Sequence, residues 1–156
     1  MEVQRRKDLR TVFIVVRCWL RRRKAPIARK RTTPTPPEAA AAPTWEIAFH
    51  AAESKKAQNI RLLDLREVTS FADFFLICSG ANQKQNQAIW DEVSRKLKEK
   101  AGEKPLNVEG YESAEWVLGD YGDLIIHVFS EKAREYYDLE RLWRHAKEMP
   151  LPKHAA

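Results

Sequence analysis

Two apolar runs of strand length, Phe74–Ser79 and Leu124–Phe129, restrict the fold more than any other feature of the chain. Neither alternates polar with apolar residues, the pattern of strands covered on both faces, and such strands need helices packed over the sheet. Gly80 ends the first run. Asn82 can cap a following helix in which Gln85, Ile89, Val93 and Leu97 recur every fourth residue while Arg95, Lys96 and Lys98 reach water; Gly102 then closes it. Upstream, Thr44 follows Pro43 as an N-cap for a helix to about Ala57, with Trp45, Ala48, Phe49 and Ala52 on one face, and a strand over Ile60–Leu65 comes next. Val68–Asp73 reads as a connection.

Downstream, a short strand near Leu106–Val108 precedes Glu115–Leu118, which Gly119-Asp120-Tyr121-Gly122 joins to Leu124–Phe129 as a hairpin turn. Ser130 is an N-cap for a last helix, with Tyr136, Leu139, Leu142, Trp143 and Ala146 on one face and Pro150 beyond its end. One strand pair is thus bridged by a long helix and another by a tight turn. The two connections together predict an α/β fold with a mixed five-stranded sheet and helices packed on it.

The chain has 156 residues, enough for one such domain and some spare sequence. Its formal charge of +6 would suggest a nucleic-acid or anionic-membrane partner, but the charge is segregated. Residues 1–43 carry 12 Lys+Arg against 3 Asp+Glu, a charge of +9, whereas residues 44–156 carry 16 against 19, a charge of −3. The division predicts a basic, Pro/Ala-rich extension over residues 1–43 without a core of its own, a folded domain over 44–150 and a short tail over 151–156. An Arg-rich organelle presequence, an arm that grasps RNA, and a later translation start are three open readings of the extension.

The apolar stretch Thr11–Val16 is too short for a signal peptide and runs into Arg17 and Arg21–Lys24, which argues against export. No stretch reaches the roughly 18 apolar residues of a membrane-spanning helix. Cys18 and Cys78 are far apart and the four histidines show no ligand spacing, so a cysteine-based zinc site is not expected; a reducing compartment, the cytoplasm, fits best.

Four constellations could carry chemistry. Gly80-Ala81-Asn82, between a strand and a helix, could present backbone amides to a phosphate, although a single glycine falls short of a nucleotide fingerprint and ends strands for structural reasons as well. Asp120 and Asp123 could hold divalent cations, as in a metal-dependent nucleotidyl transferase. However, they are three residues apart across a turn, whereas strand neighbours on one face are two apart. Ser79 and His127 form a nucleophile and base only if adjacent strands bring them together, and no elbow sequence supports that. The fourth is Glu109-Gly110-Tyr111-Glu112-Ser113-Ala114-Glu115-Trp116, an acidic loop leading into a tryptophan-bearing strand. Two readings of it stand: a partner interface anchored by an aromatic residue and flanked by carboxylates, or a Trp116 that packs under a helix while the glutamates are merely solvated. Tyr136, Tyr137 and Trp143 are open to the same two readings.

Taken in order, several of these segments resemble the Iojap family, the ribosomal silencing factors. They are Lys55-Lys56-Ala57, Leu63-Asp64, Ala72-Asp73-Phe74-Phe75, Ser79-Gly80, Glu109-Gly110, Ser113–Leu118, Asp120-Tyr121-Gly122-Asp123, His127-Val128-Phe129 and Arg134–Trp143. The resemblance spans about residues 45–147. It implies a domain like a nucleotidyltransferase core without its activity, so neither an enzyme nor a holder of a cofactor. It further implies a translational repressor that binds a basic protein, numbered fourteen, on the intersubunit face of the large ribosomal subunit and sterically blocks joining of the small subunit. A homodimer off the ribosome is compatible with it. Carried over by position, the contact surface comprises Glu109, Gly110, Trp116, Leu118, Asp120, Tyr121 and Asp123, with Tyr137 and Trp143 close by. The runner-up reading is the metal-dependent nucleotidyl transferase.

Overall fold

A computed structural model describes residues 42–70 and 72–152; of the expected extension over 1–43 only residues 42 and 43, and of the tail over 151–156 only residues 151 and 152, lie within the described residues. The first helix, α1, spans Thr44–Ser54. Pro43 takes the cap position expected of Thr44: its extended backbone sets the entry angle, and its carbonyl accepts from the Glu46 and Ile47 amides. The helix ends three residues before Ala57 because Lys56 turns into the left-handed region at φ 59°. Strand β1, Gln58–Asp64, starts earlier than Ile60; its polar first residues straddle a register irregularity, with Asn59 at φ 49°.

Strand β2, Phe74–Gly80, leads through Asn82 into α2, Gln83–Ala101, where the Asn82 side chain accepts from the Gln85 amide and Gly102 closes the helix in the left-handed region. Then come β3 (Asn107–Glu109), β4 (Trp116–Asp120) and β5 (Leu124–Ser130). The β4–β5 turn is shorter than its sequence suggests. Strand β4 runs on through Gly119 and Asp120 while β5 starts at Leu124 as expected, leaving Tyr121–Asp123, with Gly122 at φ 91°.

With a last strand β6 (Lys147–Met149), the six strands of the described residues order as β3-β4-β5-β2-β1-β6, with β2 and β5 parallel and every other neighbouring pair antiparallel. The two apolar runs are therefore central neighbours, paired from Phe74↔Leu124 to Gly80↔Ser130. Alternation sends Leu62, Leu76, Cys78, Val117, Ile126 and Val128 to one face, where they pack with Ile47, Ala48, Ala51 and Ala52 of α1 and Ile89, Trp90, Val93 and Leu97 of α2. Burying each large side chain here contributes about 1.5–3 kcal/mol. Gly119 permits the approach of α2, since a Cβ there would run into the Trp90 ring.

The expected last helix is broken. Ser130 caps α3, Glu131–Tyr137, but Asp138 is left-handed at φ 44°, and α4 is only Leu139–Leu142. A sixth strand follows, β6 (Lys147–Met149), antiparallel to β1. Three residues of mixed polarity carry no strand period; the free edge of β1 makes them a strand. Among the described residues, no helix is long and apolar enough to cross a membrane.

Candidate functional site

The other face of the sheet carries Trp116 and Leu118 on β4, His127 and Phe129 on β5, and Phe75, Ile77 and Ser79 on β2. Trp116 opens β4 opposite Phe129. Its indole Nε1 donates to His127 Nδ1 at 3.1 Å, so the proton of the neutral imidazole resides on Nε2, which is buried without a hydrogen-bond partner. Burial pushes the His127 pKa down to about 3.

Aromatic contacts extend from this pair in both directions. On one side the Trp116 ring meets Phe129 at 5.0 Å and Tyr137 at 4.7 Å, and Tyr136 stands edge-on to Tyr137. On the other side Phe75 lies edge-on to His127 at 4.7 Å, and Trp143 edge-on to Phe75 at 5.6 Å. The fold thus gathers Trp116, Tyr137 and Trp143, from β4, α3 and the end of α4, into one row in which all three are half-buried, while Tyr136 is 56% exposed.

Leu118 is buried beside this row, opposite His127, and half-buried Glu109 faces Leu118 from β3, its carboxylate accepting from Asn107 Nδ2 at 3.0 Å. Gly110 is exposed at φ 76°. A Cβ there would collide with the Trp116 carbonyl, so glycine is what lets the acidic loop fold back on the start of β4.

Asp120, Tyr121 and Asp123 are placed differently. Asp120 is buried, and its Oδ1 accepts from the Gly122 amide at 2.8 Å, closing its own turn. Tyr121 is buried in the core against Trp90, and desolvation pushes its hydroxyl up to about 12. Asp123 is exposed, and its carbonyl accepts from the Asp73 and Phe74 amides, fixing the start of β2. Among the described residues, no group of three or more His, Cys, Asp or Glu is placed to hold a metal ion.

The other constellations are occupied by structural bonds. Ser79 Oγ accepts from Arg134 Nη1 at 2.8 Å, and His127 Nδ1 is taken by Trp116, so neither is aimed at the other. Buried Cys78 has its thiol pushed up to about 12 by desolvation, the wrong direction for a nucleophile. At the Gly80 turn, the Ala81 amide donates to Gln85 Oε1, and the Gln85 amide donates to Asn82 Oδ1. Gln85 Nε2 also donates to the carbonyls of Lys55 and Lys56, tying α2 to the end of α1. A groove of about 780 Å³ includes Arg61, Ser79, Glu131, Arg134, Asp138 and Glu148 in its lining, but its arginines are already paired, Arg61 with Glu148 and Arg134 with Glu140.

Sequence reasoning missed Arg134, whose guanidinium joins Glu140 and Ser79. The separation of six residues from Glu140 matches no helical spacing, and only the left-handed Asp138 brings the two together.

Comparisons with known proteins agree with this architecture. The family described as "Ribosomal silencing factor during starvation" matches residues 37–156. The chain is 42% identical over 106 residues to the ribosomal silencing factor RsfS of Halalkalibacterium halodurans, covering 68% of this chain and 90% of that protein. It is 44% identical over 101 residues to the RsfS of Bacillus subtilis, covering 63% and 82%. A chloroplastic Iojap protein of Zea mays is 31% identical over 102 residues, covering 65% and 44%. A crystal structure from Bacillus halodurans superposes with a TM-score of 0.61 at 40% identity, covering 69% of this chain and 96% of that one. With a mixed α/β sheet, the ordered motifs and relatives of this kind, the chain belongs to the ribosomal silencing factor family, the Iojap proteins.

Proposed function

We propose that this chain represses translation by docking on the intersubunit face of the large ribosomal subunit and sterically excluding the small subunit. The observation that carries this reading is the row of half-buried aromatics Trp116, Tyr137 and Trp143, flanked by carboxylates. Rigid aromatic rings anchor protein contacts at low entropic cost, and the surrounding Glu109, Glu112, Glu115 and Asp123 suit a basic partner. The partner is the basic large-subunit protein numbered fourteen. Trp116, Tyr137 and Trp143 make the contact with Glu109, Gly110 and Asp123; Leu118, Asp120 and Tyr121 support it from below. The action is non-catalytic and cytoplasmic, and the basic residues 1–43 add a salt-sensitive hold on ribosomal RNA.

The test is co-sedimentation of the full chain with separated large subunits. Trp116→Ala combined with Asp123→Lys should abolish co-sedimentation and restore subunit joining while the circular dichroism spectrum stays native. Unchanged co-sedimentation of that folded variant refutes the proposal.

A further inference from the structure

Two rings of the row, Tyr137 and Trp143, belong to elements too short to hold their own positions. α3 has seven residues and α4 has four, both below the length at which a helix persists by itself. Between them Asp138 occupies the left-handed region, an unfavourable backbone state for a residue with a Cβ. Tyr137 precedes this break and Trp143 follows it, so any hinge movement at Asp138 changes the distance between the two rings.

One side chain spans the break. Arg134, on α3, directs both Nε and Nη2 to Glu140 Oε1 on α4, at 2.8 and 2.6 Å. Its remaining arm, Nη1, donates to Ser79 Oγ at 2.8 Å, at the C-terminal end of β2. The guanidinium therefore ties both short helices to a central strand of the sheet that bears the other rings. Arg134 and Glu140 are the least exposed of the ion pairs among the described residues, at 12% and 18%, where water competes least with such bonds. A planar fork with donors on three nitrogens is required for this; a lysine ammonium reaches one partner or the other.

We infer that Arg134 is the positioning residue of the docking surface: by bonding Glu140 and Ser79 across the Asp138 break, it sets the spacing of Tyr137 and Trp143 around Trp116. The inference rests on the docking reading above, and it assigns Arg134 no contact with the partner. The variant Arg134→Lys preserves charge but lacks the fork, and Arg134→Met removes both.

Affinity of the full chain for isolated large subunits is measured at a temperature where circular dichroism shows each variant fully native. Both variants should bind roughly tenfold more weakly, with the salt dependence of binding unchanged and the indole N–H resonances of Trp116 and Trp143 displaced. Parent-like affinity for Arg134→Lys would overturn the inference, as would a loss that follows only the folded fraction. Trp116→Ala runs in parallel. If it abolishes binding while Arg134→Lys does not, the positioning role alone fails; if neither matters, the docking reading fails and takes this role with it.

Discussion

The buried His127 makes a quantitative claim about acid stability. Its imidazole lies among the Phe75, Trp116 and Phe129 rings with Leu118 opposite, and desolvation lowers its pKa from the ordinary 6.5 to about 3. Because the folded value lies below the unfolded one, the unfolded chain binds more protons in mild acid, and protonation draws the equilibrium towards it. This contribution to stability is complete above pH 6.5 and is lost progressively as the pH falls towards 3. Each pH unit below the unfolded value costs about 1.4 kcal/mol, so moving from pH 7 to pH 5 should remove roughly 2 kcal/mol. The side-chain hydrogen bonds of Arg66 to Asp64 and of Arg95 to Glu92 lower those carboxylate pKa values, so both stay charged throughout this window. Urea unfolding followed by circular dichroism at pH 7, 6 and 5 provides the slope. The reference is His127→Gln, which keeps an acceptor for the Trp116 indole but does not titrate. A parent curve that is flat from pH 7 to 5, or a variant with the same slope as the parent, would refute the reasoning.

Two other substitutions probe the packing. Gly119→Ala should cost about 1–3 kcal/mol in denaturant unfolding, because its methyl group enters the space of the Trp90 ring; an unchanged midpoint would show that α2 can yield there. At Asp138, Gly should be tolerated within about 0.5 kcal/mol, whereas Val should cost about 2 kcal/mol, since a β-branched residue is strained at φ 44°. Equal midpoints for the two variants would contradict a left-handed break between α3 and α4.

Much of the fold was legible in local patterns. The apolar runs at Phe74 and Leu124, the cap at Asn82, the stop at Gly102 and the cap at Ser130 are short-range signals, and each stands in the structure where it was expected. The strand Lys147–Met149 and the break at Asp138 were not legible, because Lys-Glu-Met becomes a strand only on the open edge of β1 and a single aspartate within a helical pattern does not announce a left-handed turn. Of the candidate surface, Trp116 was readable as an aromatic at a strand start. Tyr137 and Trp143 were placed near it only through the family resemblance, and Phe75 and His127, which link the rings, were not, since strand pairing alone brings them beside Trp116.

What this sequence determined by itself is therefore the α/β class, the order of its main helices and strands, and, through motifs in order, the silencing-factor family. Those properties rest on periodicity, capping and identity, which act over a few residues or are read directly from the chain. Only the tertiary structure decided which residues of the candidate surface reach solvent. It buries Asp120 in its own turn and Tyr121 against Trp90 while leaving Trp116 half open at the start of β4, because burial is a property of neighbours that lie far apart in sequence.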